Sequence, residues 1–202
     1  MERARVVVLV SGGGTNLAAL LDATARSDYP ANVVGVGSDR TGAQALDRAA
    51  AADIETFVVA PDEYPSRAAW DLALAEATAV HRPDLVVLAG FMRLVGPVFL
   101  KRFHERVINT HPALSPSFPG MHAPREALEH GVKVTGCTIF IVDDGVDTGP
   151  IVAQAAVPVL DDDTVESLHE RIKEQERALL VTVVADLVTQ HYRIEGRKVV
   201  RT

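Results

Sequence analysis

Five short, almost uninterrupted apolar runs, separated by stretches of helical spacing, constrain this chain more than anything else in it. Val6–Val10 (VVVLV), Val33–Gly37, Glu55–Val59, Leu85–Ala89 and Val107–Ile108 have the make-up of strands, several of them apolar throughout, as strands covered on both faces are. Between them, Asn16–Ala25, Ala43–Ala52 and Ser66–Val80 carry apolar residues at helical spacing. Strands that alternate with helices in this way are buried as a parallel sheet with helices on both sides. The expected fold is therefore α/β, a doubly wound and mostly parallel sheet.

The second part of the chain changes character. Lys133–Val142 and Ile151–Val159 read as two longer strands joined by DDGVDTGP, followed by a long helix from about Thr164 to His191. The closing IEGRKVVRT reads as a short last strand or a tail. There is no internal repeat, no low-complexity tract and no linker, so 202 residues are expected to form a single domain.

Composition then excludes partners. A net charge of −7 gives no bulk attraction to nucleic acid, although backbone N–H groups can still hold a phosphate locally. Cys137 is the one cysteine, so there is no internal disulfide; its flanks make it a strand thiol rather than a nucleophile, and it fits a reducing cytosol. The start, MERARVVVLVSGGG, has an apolar core of five residues, too short for a signal peptide or a membrane span, so a cytoplasmic location is expected.

Four stretches carry chemistry. In VVVLVSGGGTNLAAL, a buried strand runs into Ser11-Gly12-Gly13-Gly14-Thr15 and a helix with Leu17, Leu20 and Leu21 on one face. Glycines let a backbone approach a ligand, and a helix N-terminus offers free N–H groups and partial positive charge, a combination suited to phosphate. The alternative is a tight strand–helix turn with no ligand. In LVVLAGFMRLVGP, a strand leaves through Gly90 into Phe91-Met92-Arg93-Leu94-Val95, where an apolar cluster would line a slot for a flat organic molecule or else begin a core helix.

INTHPALSPSFPG breaks a strand, Arg106–Ile108, at Asn109-Thr110-His111 and stiffens the adjoining loop with Pro112, Pro116 and Pro119. The Asn109 amide suits a developing oxyanion, and His111 suits proton transfer near neutral pH; His122 is the second candidate. His104, His130, His169 and His191 read as surface residues. Finally, VDDGVDTGPI places Asp143, Asp144 and Asp147 in a glycine-rich loop, either as turn chemistry or as a partner for a histidine. No metal-ligand spacing recurs, so no metal is expected, and the absence of a G-x-S-x-G elbow removes a serine hydrolase.

Taken in order, SGGGTNL, LAGFMRL, INTHPAL-P-FPG, VTGCTIFIVDDGVDTGPI and LHERIKEQE resemble the phosphoribosylglycinamide formyltransferase family, folate-dependent enzymes of purine biosynthesis, from Val6 to about Leu187. The resemblance implies a Rossmann-like formyltransferase fold, with about 1–100 as the phosphate-binding half, about 101–192 as the folate and catalytic half, and 193–202 as a tail. It implies N10-formyltetrahydrofolate as co-substrate and transfer of its formyl group to the glycinamide amine of the ribonucleotide. The substrate phosphate falls to Gly14, Thr15 and Asn16, and the ribose to Glu176. The folate falls to Arg67, Met92, Arg93, Leu94, Val95, Asn109, Val142, Asp143 and Asp144. The catalytic trio corresponds to Asn109, His111 and Asp147. Partners are small molecules, not nucleic acid or membrane, and a homodimer is compatible with the family. Many members read HPSLLP where this chain has HPALSP, and the family loop usually has a cis peptide before that proline; Ser115 leaves this open.

The chemistry is coherent on the residues themselves. An amine attacking a formyl carbon creates a tetrahedral oxyanion, to which Asn109 and protonated His111 would donate. Asp147, accepting from the imidazole, would favour the imidazolium. A proton must reach folate N10 through His111 or an ordered water, and the sequence does not choose. A methionyl-tRNA formyltransferase would share the trio but normally adds a C-terminal tRNA domain, and this chain is acidic and ends soon after its long helix. A formyltetrahydrofolate hydrolase usually carries an extra N-terminal domain and needs no phosphate loop. A silent nucleotide- or folate-binding module would not need Asn109, His111 and Asp147 together.

The long helix adds one expectation from periodicity. Val165, Leu168, Ile172, Leu179 and Val183 form one buried stripe whose missing rung is Glu176. A carboxylate there is either a ligand group or a residue that turns to solvent or pairs with Arg171 or Arg177.

Overall fold

The computed structural model describes residues 2–201, and the chain divides into two compact units, Met1–Asn109 and Thr110–Thr202. The first contains β1 (Ala4–Val10), α1 (Thr15–Thr24), β2 (Ala31–Ser38), α2 (Gln44–Ala51), β3 (Thr56–Val58), a 3-10 turn at Pro61–Glu63, α3 (Arg67–Val80), β4 (Leu85–Leu88), α4 (Pro97–Arg102) and most of β5 (Val107–His111). Its strands lie in the order β3-β2-β1-β4-β5, and every pair is parallel. Central β1 keeps Val6–Val10 at no more than 1% exposure, which is why that run could be apolar throughout.

This order has a consequence for ligands. The chain walks outward from β1 to β2 and β3, then returns to the opposite side of β1 with β4. The connections after β1 and β4 therefore diverge, and a crevice at the carboxyl ends of such strands is where open α/β sheets receive ligands. Helix α3 anchors this side of the unit: the Ser66 hydroxyl accepts from Ala69 N–H to cap it, and buried Trp70 donates its indole N–H to Val59 O at 2.8 Å.

The second unit takes the end of β5 and continues with α5 (Ala123–Glu129), β6 (Val134–Ile141), β7 (Ile151–Pro158), α6 (Val165–Thr189), β8 (Tyr192–Glu195) and β9 (Lys198–Arg201). β6 and β7 form an antiparallel pair with an irregularity between Ile139 and Phe140, and β9 pairs in parallel with β7 at Ile151 and Lys198. α6 packs on β6 and β7 through a core of Cys137, Val157, Leu168 and Ile172. Its start is over-determined: Thr164 and Ser167 form a capping box, and Asp163 accepts both ends of the Arg171 guanidinium at 2.6 and 2.8 Å.

Several expectations need correction. The strand does not end at Ile108: β5 runs on through Asn109 and Thr110 to His111, and the last two are buried. Backbone pairing of Leu88 with Asn109 carries the ladder past the apolar residues, whatever their side chains prefer. The closing residues form a two-stranded hairpin, Tyr192–Glu195 with Lys198–Arg201, not a single strand or a tail. On α6 the buried line is Leu168, Ile172, Glu176, Leu180, Val183, Val184 and Leu187, so Leu180 replaces Leu179, which is only partly covered, as is Val165. His169 is half-buried rather than on the surface. Helices α4 and α5, of 6 and 7 residues, are too short for periodicity to show.

Candidate functional site

Within the first unit, the three loop glycines are not equivalent. Gly14 adopts φ 70°, and a Cβ there would lie 2.6 Å from the Ala45 Cβ, so the fold itself demands glycine. A Cβ on Gly12 would meet nothing within 4 Å, and one on Gly13 only the Gln44 side chain at 3.8 Å. Those two glycines keep open a space that the protein does not fill. Ala45 N–H donates to Gly12 O at 3.1 Å and Arg48 Nε to Gly13 O at 2.9 Å, which turns the carbonyls toward α2. α1 starts at exposed Thr15 with no side chain capping its first turn. An uncapped N-terminus behind open glycines suits an anion.

The segment after β4 stands beside that loop. Ser11 N–H donates to Gly90 O at 3.2 Å, and Met92 N–H donates to Ser11 Oγ at 2.8 Å. Met92 and Leu94 are each 54% exposed while Val95 is buried, so this is an apolar surface and not the first turn of a core helix, which begins only at Pro97. Arg67 donates to Leu94 O and lies 4.8 Å over the Trp70 ring. Arg93 Nε donates to buried Asp39 Oδ2 at 3.0 Å. Burial alone would push the Asp39 carboxyl up, but hydrogen bonds from Arg40, Ser11 and Arg93 hold it below its ordinary value. Sequence reading assigned no role of this kind to Ser11 or Asp39. The available signal was an acid directly beyond the buried strand β2, at the end where ligands bind.

Within the second unit, His111 is 3% exposed and held from two sides. Its Nδ1 lies 3.4 Å from Asp147 Oδ2, and its Nε2 lies 2.8 Å from Phe118 O. A carbonyl can only accept, so Nε2 carries a proton in this arrangement. Asp147 Oδ2 also accepts from Gly120 N–H at 2.8 Å, and Asp147 itself sits in the left-handed region at φ 54°. Half-buried Asn109 precedes His111 by two residues on β5, so the alternation of a strand sends both side chains to one side.

The remaining candidates fall into place individually. Asp143 accepts from Thr148 Oγ1 at 2.7 Å and Gly145 N–H at 3.1 Å, a turn of the kind its residues suggested; Val142 is half-buried and Asp144 exposed. The Ser115–Pro116 peptide is cis. Thr138 Oγ1 binds that loop by donating to Ala113 O at 2.7 Å and accepting from Ser115 N–H at 2.9 Å. Glu176 is buried on the core face of α6, at the rung that periodicity singled out. Burial, followed by the negative charge of Glu176, pushes the Cys137 thiol up to about 12, which disqualifies it as a nucleophile. His122, the second histidine candidate, is exposed just before α5. Among the described residues, no group of three or more His, Cys, Asp or Glu side chains is placed to hold a metal ion, and no helix is long and apolar enough to cross a membrane.

Comparison with known proteins points one way. The family model described as formyl transferase matches residues 4–184. Over 194 residues the chain is 58% identical to a phosphoribosylglycinamide formyltransferase of Mycobacterium tuberculosis, which spans 96% of this chain and 89% of that protein. It is 44% identical to part of the trifunctional purine biosynthetic protein adenosine-3 of Drosophila melanogaster, over 93% of this chain and 14% of that one. Among solved structures, glycinamide ribonucleotide transformylase 1 from Symbiobacterium toebii superposes with a TM-score of 0.95 at 48% identity, covering 98% of this chain and 93% of that chain.

Proposed function

From the premise that this chain belongs to the formyl transferase family, we propose that it transfers the formyl group of N10-formyltetrahydrofolate to the glycinamide amine of phosphoribosylglycinamide, a step of purine biosynthesis. The observation that carries this reading is the buried His111, fixed between Asp147 and the Phe118 carbonyl two residues after Asn109. An imidazole Nε2–H and a carboxamide on one side of one strand are a pair of donors for an oxygen that gains charge.

The folate supplies the formyl carbon, and the rest falls to the chain. Asn109 donates its amide N–H to the oxyanion that forms when the amine attacks. His111 exchanges the Phe118 carbonyl for that same oxyanion at Nε2, while Asp147 stays on Nδ1 and keeps the ring charged and oriented. The new C–N bond forms to the glycinamide nitrogen, the bond to N10 breaks, and the proton shed by the amine ends on N10. Gly14, Thr15 and Asn16 hold the substrate phosphate at the uncapped α1 terminus, with the space over Gly12 and Gly13 giving it access. Glu176 accepts from the ribose hydroxyls. In the first unit, the apolar Met92 and Leu94, with Arg93, Val95 and Arg67, offer a surface for the flat folate ring; in the second, the family resemblance assigns Val142, Asp143 and Asp144 to the folate. The chain works on small molecules in the cytoplasm.

One assay tests the reading. Purified protein is mixed with formyl folate and the ribonucleotide, and folate absorbance is followed beside a control without ribonucleotide. Turnover that needs the ribonucleotide supports transfer. Equal turnover without it would make the protein a hydrolase, and none in either case would leave only a binding role.

A further inference from the structure

We propose that Asp71, which lies outside all of the chemistry-bearing stretches, is a positioning residue that holds the Met92–Val95 segment in the shape that receives the folate. The proposal rests on the folate reading of that segment. It starts from a carboxylate that is 1% exposed in the middle of α3, where an ionised group is costly unless fully satisfied. Asp71 is fully satisfied, and by the main chain alone. Oδ1 accepts from Gly96 N–H at 2.6 Å, and Oδ2 accepts from Val98 N–H at 2.9 Å and Phe99 N–H at 3.2 Å.

These donors are the orphan N–H groups at the start of α4. Its N-cap, Gly96, has no side chain to offer, and Pro97 has no N–H. One remote carboxylate therefore does the work of a local cap, with charge-assisted bonds and a favourable helix dipole. Gly96 fits this purpose. Its φ of −98° suits any residue, but a Cβ there would lie 2.6 Å from the Asp71 carboxylate, so only glycine lets the carboxylate reach its donors.

Arg67 lies one helical turn before Asp71 on the same face of α3 and donates to Leu94 O. One helix thus grips the segment at the Leu94 carbonyl and again at Gly96–Phe99, while Ser11 takes the Met92 N–H at the other end. Buried Val95 is bracketed, and the exposed Met92 and Leu94 side chains are presented from a fixed backbone. A binding surface carried on a loop is only as exact as its supports, and a shift of about 1 Å costs up to roughly a hundredfold.

The test compares Asp71→Asn and Gly96→Ala with the parent. Asparagine keeps one acceptor but turns an NH2 group toward N–H donors; alanine at 96 displaces the carboxylate while leaving it in place. Both are expected to raise KM for the formyl folate roughly tenfold to a hundredfold, with KM for the ribonucleotide within about twofold of the parent, the split a purely structural loss would not produce. Hydrogen exchange at the Gly96, Val98 and Phe99 amides should accelerate in both. If Asp71→Asn does not fold, Gly96→Ala carries the test alone. Parental KM for the folate, or equal rises for both substrates, overturns the proposal. A parent without formyl transfer sinks the functional reading instead, and unchanged exchange at the three amides then overturns the clamp independently.

Discussion

Oδ2 of Asp147 stands 3.4 Å from Nδ1 of His111 and at the same time accepts the Gly120 N–H at 2.8 Å. One oxygen thus orients the ring and ties down the proline-rich loop. Asp147→Asn tests the charge alone, because asparagine tolerates the left-handed φ of 54° found there. Turnover is expected to fall by about two orders of magnitude with thermal unfolding near the parent's. Parental kcat in the folded variant would remove Asp147 from the mechanism.

Asn109→Ala and His111→Ala should each lower kcat by roughly two to four orders of magnitude, since each removes a donor to the developing oxyanion. Circular dichroism checks that the strand survives. Near-normal turnover in either folded variant excludes that residue from catalysis.

The glycine loop separates packing from binding. Gly14→Val should destabilise the fold, because it meets Ala45 and a φ of 70°. A Cβ at Gly12 would meet nothing within 4 Å, so Gly12→Ala should leave the melting temperature close to the parent's, and the bulkier Gly12→Val should raise KM for the ribonucleotide about tenfold or more. Unchanged KM in Gly12→Val would make the loop a turn and nothing else.

Glu176→Leu replaces a buried carboxylate on the core stripe of α6 by an apolar side chain. Ribonucleotide affinity should drop sharply, and stability should hold or rise. Normal affinity with a clear loss of stability would show that Glu176 serves the fold and not the ligand.

Acid should weaken the start of α6. The hydrogen bond from Arg171, foremost, holds the Asp163 carboxyl well below its ordinary value of 3.8, with Leu160 N–H and Ser167 adding to it. A carboxyl whose folded pKa is lowered contributes stability above its unfolded value and loses it as pH falls. Asp163→Asn should therefore melt below the parent at neutral pH, and the gap should close on acidification through and below about pH 4. A gap independent of pH would mean the residue acts through packing.

Much of the candidate site could be proposed from sequence because its stretches rest on local rules. The glycine turn, the amide and imidazole after β5's apolar start, and the acidic turn before β7 are contiguous in sequence. Glu176 was visible because a single acid interrupts an apolar stripe. After Glu176, steps of three and four residues both continue a helical line, and they differ by about 100° around the axis. Choosing Leu180 over Leu179 required knowing how α6 lies on β6 and β7.

By itself, then, the sequence determined the alternation of the longer strands and helices, which strands are apolar enough to be covered on both faces, and which residue types follow them, since all of these depend on patterns a few residues long; the end of β5, the closing hairpin and the short α4 and α5 were not among them. Only the tertiary structure decided the partners. Asp71 meets Gly96 from 25 residues away, Arg93 meets Asp39 from 54, and Ser11 meets Met92 from 81. Phe118 and Gly120 enter the candidate site through a backbone carbonyl and a backbone N–H, groups that do not depend on side-chain type. No side-chain pattern marks a backbone group, and a long-range hydrogen bond exists only once packing has brought its two ends together.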